Sequence, residues 1–257
     1  MTSLEVILAV LIGLGAGILS GLFGIGGGTV MTPAVQALLG APPIIALATP
    51  LPAIFPTAAT GAWTYRQGGE LDGRAAMWIV GPGILGAVAG AALTDVIDTD
   101  LLLIVTALLL AREAVHILRG AARREGRGEP SGGTPVQLAG IGLVAGFVSG
   151  LLGVGGGIII VPLLTGILRM PLKRALGTSL LAIVVLVIPG TIVHAALGHI
   201  DWAIFAALIV GSVPGARIGA RIALGTRERT LRLLVGSFLL VVALTYGAGE
   251  VVRLMQG

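Results

Sequence analysis

Two short runs in this chain can do chemistry through the backbone alone: Gly24-Ile25-Gly26-Gly27-Gly28 and Gly153-Val154-Gly155-Gly156-Gly157. Glycine has no Cβ, so a ligand can approach its amide closely and tight turns cost it little. Both runs interrupt apolar stretches, where each glycine costs a continuous helix about 1 kcal/mol relative to alanine. The runs therefore predict helix breaks, with a new helix starting near Thr29 and another near Ile158. The first turn of such a helix has N–H groups without intrahelical partners and about half a positive charge from its dipole. That combination holds an anion without a buried arginine. The expected ligand contacts are the amides of Gly26, Gly27, Gly28 and Thr29, and of Gly155, Gly156, Gly157 and Ile158. Hydroxyls at Thr49, Thr178 and Ser179 are further candidates, set against the alternative that they bond back to their own helices. Ser20 and Ser149 read as small packing residues. The competing reading of the glycines is that they only let helices cross closely.

Other chemistries lack their parts. There is no cysteine, and no His, Asp or Glu cluster lies within the core spans. Metal sites and hydrolysis are therefore not expected, no cofactor is expected, and the chain is not read as an enzyme. A phosphate loop would need a preceding strand and a following Gly-Lys-Ser/Thr, and neither is present. The net charge of +4 comes without a basic aromatic surface, so nucleic acid is not an expected partner. His194, His199 and Asp201 read as a solvated loop, and Arg217 and Arg221 as side chains reaching for lipid headgroups.

The elements that position the glycines are membrane helices. Charged residues make up 11% of the chain and hydrophobic ones 56%, with a mean hydropathy of +1.04. Soluble domains carry about 25% charged residues, so a water-exposed surface cannot be built. Spans are expected at about 44–64, 75–94, 101–118, 175–193, 203–222 and 230–249. Residues 5–40 and 136–168 supply two more segments each, meeting at the glycine runs. The stretch from Thr29 to Gly40 gives roughly 18 Å of helix at 1.5 Å per residue, too short to span. Each is read as half of a broken, re-entrant hairpin, which makes about five segments per half. Outer-membrane strands would alternate apolar and polar residues, and these do not.

An internal repeat organises the chain. An offset of 129 lays Ser20-Gly21-Leu22-Phe23-Gly24 on Ser149-Gly150-Leu151-Leu152-Gly153 and pairs Pro33 with Pro162, Thr49 with Thr178 and Asp72 with Asp201. Matching loops carry unlike charge. Gly40 to Pro43 has none, while Arg169 to Arg174 holds Arg169, Lys173 and Arg174; Tyr65 to Arg74 holds two arginines, while His194 to Trp202 holds no Lys or Arg. By the positive-inside rule, equivalent loops lie on opposite sides of the bilayer. The expected organisation is all-α and polytopic: inverted repeats over 1–118 and 136–257, joined by a basic linker at 119–135. The linker is expected in the cytoplasm, both termini outside, and the protein in a cell inner membrane. Gly86/Gly90 and Gly211/Gly215/Gly219 are expected at close helix contacts.

At Gly21-Leu22-Phe23-Gly24-Ile25-Gly26-Gly27-Gly28 with Pro33, and at the second copy ending in Pro162, the chain resembles the sulfite exporter TauE/SafE family of membrane permeases. Gly177-Thr178-Ser179 is similar to that family's pattern as well, and Ala48-Thr49-Pro50 departs from it. The resemblance covers nearly the whole chain. It implies a transporter whose partners are the lipid bilayer and a small anionic substrate: sulfite, sulfoacetate or another organosulfonate. Alternating access between the repeats is the expected mechanism. A passive anion channel and a cation-coupled carrier of another small solute are the alternatives, and oligomeric state is left open.

Overall fold

A computed structural model describes residues 2–92, 108, 111–112, 114–115, 117–119, 133–152 and 157–256. The described residues form helices: α1 (Ser3–Phe23), α2 (Gly28–Leu39), α3 (Pro43–Ala48), α4 (Pro50–Gln67), α5 (Gly73–Ala92), α6 (Pro135–Leu152), α7 (Gly157–Gly166), α8 (Leu172–Ala196), α9 (Trp202–Gly225) and α10 (Glu228–Gln256). Gly155 and Gly156, most of the linker and most of the span expected at 101–118 lie outside the described residues.

Local sequence explains the boundaries. A capping box opens α1, with the Thr2 hydroxyl accepting from the Glu5 N–H at 3.3 Å and the Glu5 carboxylate accepting from the Thr2 N–H at 2.8 Å. It supplies partners for amides a helix start otherwise leaves bare. Gly24 stops α1 in the left-handed region at φ 70°, its N–H bonding the Ser20 carbonyl at 2.8 Å. The prolines after Thr49 split the next span into α3 and α4, since neither Pro50 nor Pro52 can donate a helix bond. The matching stretch of the second half, Ser179-Leu180-Leu181, has no proline there, and α8 runs unbroken for 25 residues.

Among the described residues, four segments are long and apolar enough to cross a membrane: Ser3–Phe23, Pro43–Gln67, Leu172–Ala196 and Trp202–Gly225. Large apolar side chains cover their outer faces, among them Leu4, Ile7, Leu11, Phe55, Ile192 and Val210. Such a surface suits lipid rather than water. Trp63, Trp78 and Trp202 are exposed close to helix ends, where indoles sit at membrane interfaces. The chain is an all-helical, multi-pass membrane protein.

The helices interlock between halves. Along α1, Gly13 and Gly17 press on the backbone carbonyls of Leu208 and Ser212 in α9; along α6, Gly142 and Gly146 press on those of Ile79 and Gly83 in α5. Every member of one set lies 129 residues from its equivalent in the other. The expected glycine contacts belong to the same seams, with Gly86 against Leu143 and Gly211 against Val10. In lipid, close backbone approach through small residues is what holds helices together.

Reciprocity extends to polar contacts. The Thr49 hydroxyl accepts from the Asp201 N–H at 3.0 Å, and the Thr178 hydroxyl accepts from the Asp72 N–H at 3.0 Å. Each aspartate then caps the helix after it: Asp72 bonds the Ala75 N–H, and Asp201 bonds those of Ala203 and Ile204. Exchanging the halves thus returns the same contacts.

Candidate functional site

From Gly24 the chain turns through Ile25, Gly26 and Gly27 into α2. Gly26 and Gly27 sit at φ 81° and 85°, conformations open to glycine and strained for other residues. The N–H groups of Val30 and Met31 return to the Gly27 carbonyl at 3.1 and 3.0 Å. Those of Gly26, Gly27, Gly28 and Thr29 find no hydrogen-bond partner among the described residues. Gly24 through Gly28 are all buried. A run of bare donors has been brought to the interior, at the positive end of a 12-residue helix.

The second helix start comes to the same place. A Cβ built on Gly157, the first residue of α7, would stand 2.8 Å from the Cα of Ile25 and 2.5 Å from Cδ1 of Ile183. One built on Gly28 would stand 2.7 Å from Cδ1 of Ile54, the residue that the 129 offset pairs with Ile183. At Gly26 both isoleucines meet, with Ile183 at 2.9 Å and Ile54 at 3.3 Å. Two buried isoleucines therefore close over the glycine turn. Sequence reasoning missed them, although each follows its threonine, Thr49 or Thr178, by five residues.

The side-chain candidates are otherwise engaged. Thr49 and Thr178 hold the loops ahead of α9 and α5, as described above. Ser179 donates to the Gly24 carbonyl at 2.9 Å across the two halves and pins the turn itself. Tyr65 adds a second clamp by donating to the Gly21 carbonyl at 3.0 Å. Thr29 lies at the turn, and Ile158, its counterpart, is a buried apolar residue one position past Gly157. Of the expected contacts, the structure gathers Gly26, Gly27, Gly28, Thr29, Gly157 and Ile158. A cavity of about 520 Å³ elsewhere is lined by residues including Glu5, Gly40, Ile45 and Asp201, and by none of the turn glycines.

The sulfite exporter TauE/SafE family model matches residues 9–246. The chain belongs to the TauE/SafE family. Its similarity to a probable membrane transporter protein of Xylella fastidiosa is 30% identity over 231 residues, covering 87% of this chain and 88% of the relative. Similarity to the probable membrane transporter YunE of Bacillus subtilis is 28% over 261 residues, covering 92% and 95%. A probable membrane transporter of Methanocaldococcus jannaschii is 26% identical over 260 residues. No solved structure matches. The protein is thus a multi-pass member of a membrane-transporter family.

In this TauE/SafE protein the buried side-chain N and O atoms without a hydrogen-bond partner, among the described residues, are Ser20 Oγ, Thr29 Oγ1 and Arg174 Nε. Leaving a buried hydroxyl unmatched costs about 1–3 kcal/mol. Two of the three lie at the glycine turn. The loop after α8 brings His194 Nδ1 to 3.2 Å from His199 Nδ1, and Arg217 and Arg221 are exposed on α9.

Proposed function

We propose that this protein carries a small anion across the inner membrane, holding it between the amide-bearing starts of α2 and α7. The single observation that supports this is the close approach of Gly157, the first residue of α7, to Ile25 in the turn before α2, which brings the two broken-helix starts together in the interior. The two dipoles and the amides stabilise negative charge there without a cationic side chain. Neutral donors favour a weakly hydrated, delocalised oxyanion over phosphate, since less desolvation must be offset. Organosulfonate head groups, including that of sulfoacetate, have that character, and hydrogensulfite has it more than the sulfite dianion; sulfite is the anion in the family's name.

Under this proposal the halves 1–118 and 136–257 are inverted repeats with the 119–135 linker in the cytoplasm and both termini outside. Transport proceeds by alternating access, with Ile54 and Ile183 closing over the occupied site. We divide the moving units otherwise than repeat against repeat. The glycine seams join α1 to α9 and α5 to α6, each pair drawn from opposite halves, and separating the halves would peel both seams apart. The rocking bodies are therefore mixed: α1 with α9, and α5 with α6.

Counterflow in proteoliposomes tests this. Vesicles preloaded with unlabelled sulfite should transiently accumulate external ³⁵S-sulfite, as a carrier with one alternating site does. Equilibration without an overshoot would make the protein a channel. Absence of any flux for sulfite, sulfoacetate and methanesulfonate would end the anion reading.

A further inference from the structure

Building on the anion reading, we propose that Ser20 is a ligand-binding residue whose hydroxyl, with that of Thr29, donates to the oxyanion held at the start of α2. Ser20 is fully buried and its Oγ has no partner. Its Cβ lies 3.4 Å from where a Cβ on Gly27 would stand, so the side chain faces the turn. A helix serine or threonine with nothing better to bond usually turns back to the carbonyl four residues earlier. Thr57, Thr64, Thr165, Thr191 and Thr226 all do so here. The Ser20 hydroxyl makes no such bond to the Ala16 carbonyl, although that oxygen lies at the same 3.4 Å from the Gly27 position.

Thr29 Oγ1, in the first turn of α2, is the second buried hydroxyl without a partner. Two buried, unbonded O–H donors therefore bracket the bare amides along the chain, Ser20 in the last turn of α1 and Thr29 in the first turn of α2. Several donors on the α1–α2 side suit a ligand with several acceptor oxygens at one end. The second half offers no equivalent pair, because Ile158 replaces Thr29 and is buried. The ligand's oxygens are held from the α1–α2 side, and the rest of it faces Ile54 and Ile183, which meet at Gly26.

Equilibrium dialysis of the purified full-length protein against ³⁵S-sulfite, with methanesulfonate and sulfoacetate as competitors, tests the assignment. Ser20→Ala and Thr29→Val should each raise Kd about tenfold or more, the usual effect of losing a hydrogen bond to a charged acceptor. Ser149→Ala, the matching change in the second half, should stay within twofold. The ligand-free melting temperature of Ser20→Ala should equal or exceed that of the parent, since the hydroxyl it removes bonds nothing. Parent-like binding by Ser20→Ala overturns this assignment and leaves the anion site standing. A lowered ligand-free melting temperature with parent-like Kd makes Ser20 a packing residue and overturns it too. If the parent protein binds none of the three probes, the anion site itself falls, and the role of Ser20 with it.

Discussion

Gly27 and Gly40 form a matched pair for separating the turn's chemistry from its conformation. Both lie at positive φ, 85° and 63°. Alanine in the left-handed region costs about 1–2 kcal/mol at either position. Neither substitution adds a clash: a Cβ on Gly40 meets nothing within 4 Å, and one on Gly27 meets Ala16 O, Met31 Cε and Ser20 Cβ at 3.4 Å, ordinary contact distance. At about 2–4 °C per kcal/mol for a chain of this size, both variants should melt a few degrees below the parent. Position 40 has a natural precedent for a side chain, because its counterpart Arg169 adopts φ 52°. Transport should diverge. The methyl of Gly27→Ala sits among the bare amides and the Ser20 side chain, where an oxyanion must come within about 3 Å of each N–H. Sulfite counterflow, at matched protein content, should fall at least tenfold for Gly27→Ala and stay within twofold for Gly40→Ala. Equal counterflow in two variants with the same melting temperature would show that the turn only lets helices pass.

Three further outcomes follow from the packing. Gly28→Ala drives its methyl into Ile54 Cδ1 and should cost about 1–3 kcal/mol; Ile54→Val removes that atom, so the double variant should melt above the sum of the two single losses in a double-mutant cycle. Thr49→Val and Thr178→Val each strip the acceptor from an aspartate N–H and should lower thermal stability by a similar amount, about 1–3 kcal/mol, with Thr→Ser restoring it; a neutral valine at either position refutes the anchoring role. Gly146→Ala meets the Gly83 backbone and should prevent purification of a monodisperse protein in detergent, while Gly15→Ala and Gly140→Ala, with nothing within 4 Å, should raise the melting temperature slightly. Size-exclusion profiles and thermal scans decide both.

Much of the fold was legible because membrane helices leave a coarse signal. Apolar length set the spans, and the glycine run set the first break, which falls between Phe23 and Gly28. The 129 offset was legible because Pro, Thr and Asp recur at fixed positions, and it reappears as the reciprocal Thr49–Asp201 and Thr178–Asp72 bonds. Partner choice was not legible. The Gly211-x-x-x-Gly215 spacing announced a close contact but not its partner; Val10 and Leu14 receive it on the far side of the chain. The bonding of the candidate hydroxyls was not legible, for one physical reason. A hydroxyl's role depends on whether the fold gives it a protein partner, which its own sequence position does not encode. Thr49, Thr178 and Ser179 looked available and are bonded; Ser20 looked like packing and is bare. The inequality of the two copies was legible too, since Thr29 has Ile158 as its counterpart at the 129 offset. The backbone brings two helix starts together, and under the anion proposal a duplicated scaffold surrounds a site that is polar where Thr29 stands and apolar where its counterpart Ile158 stands.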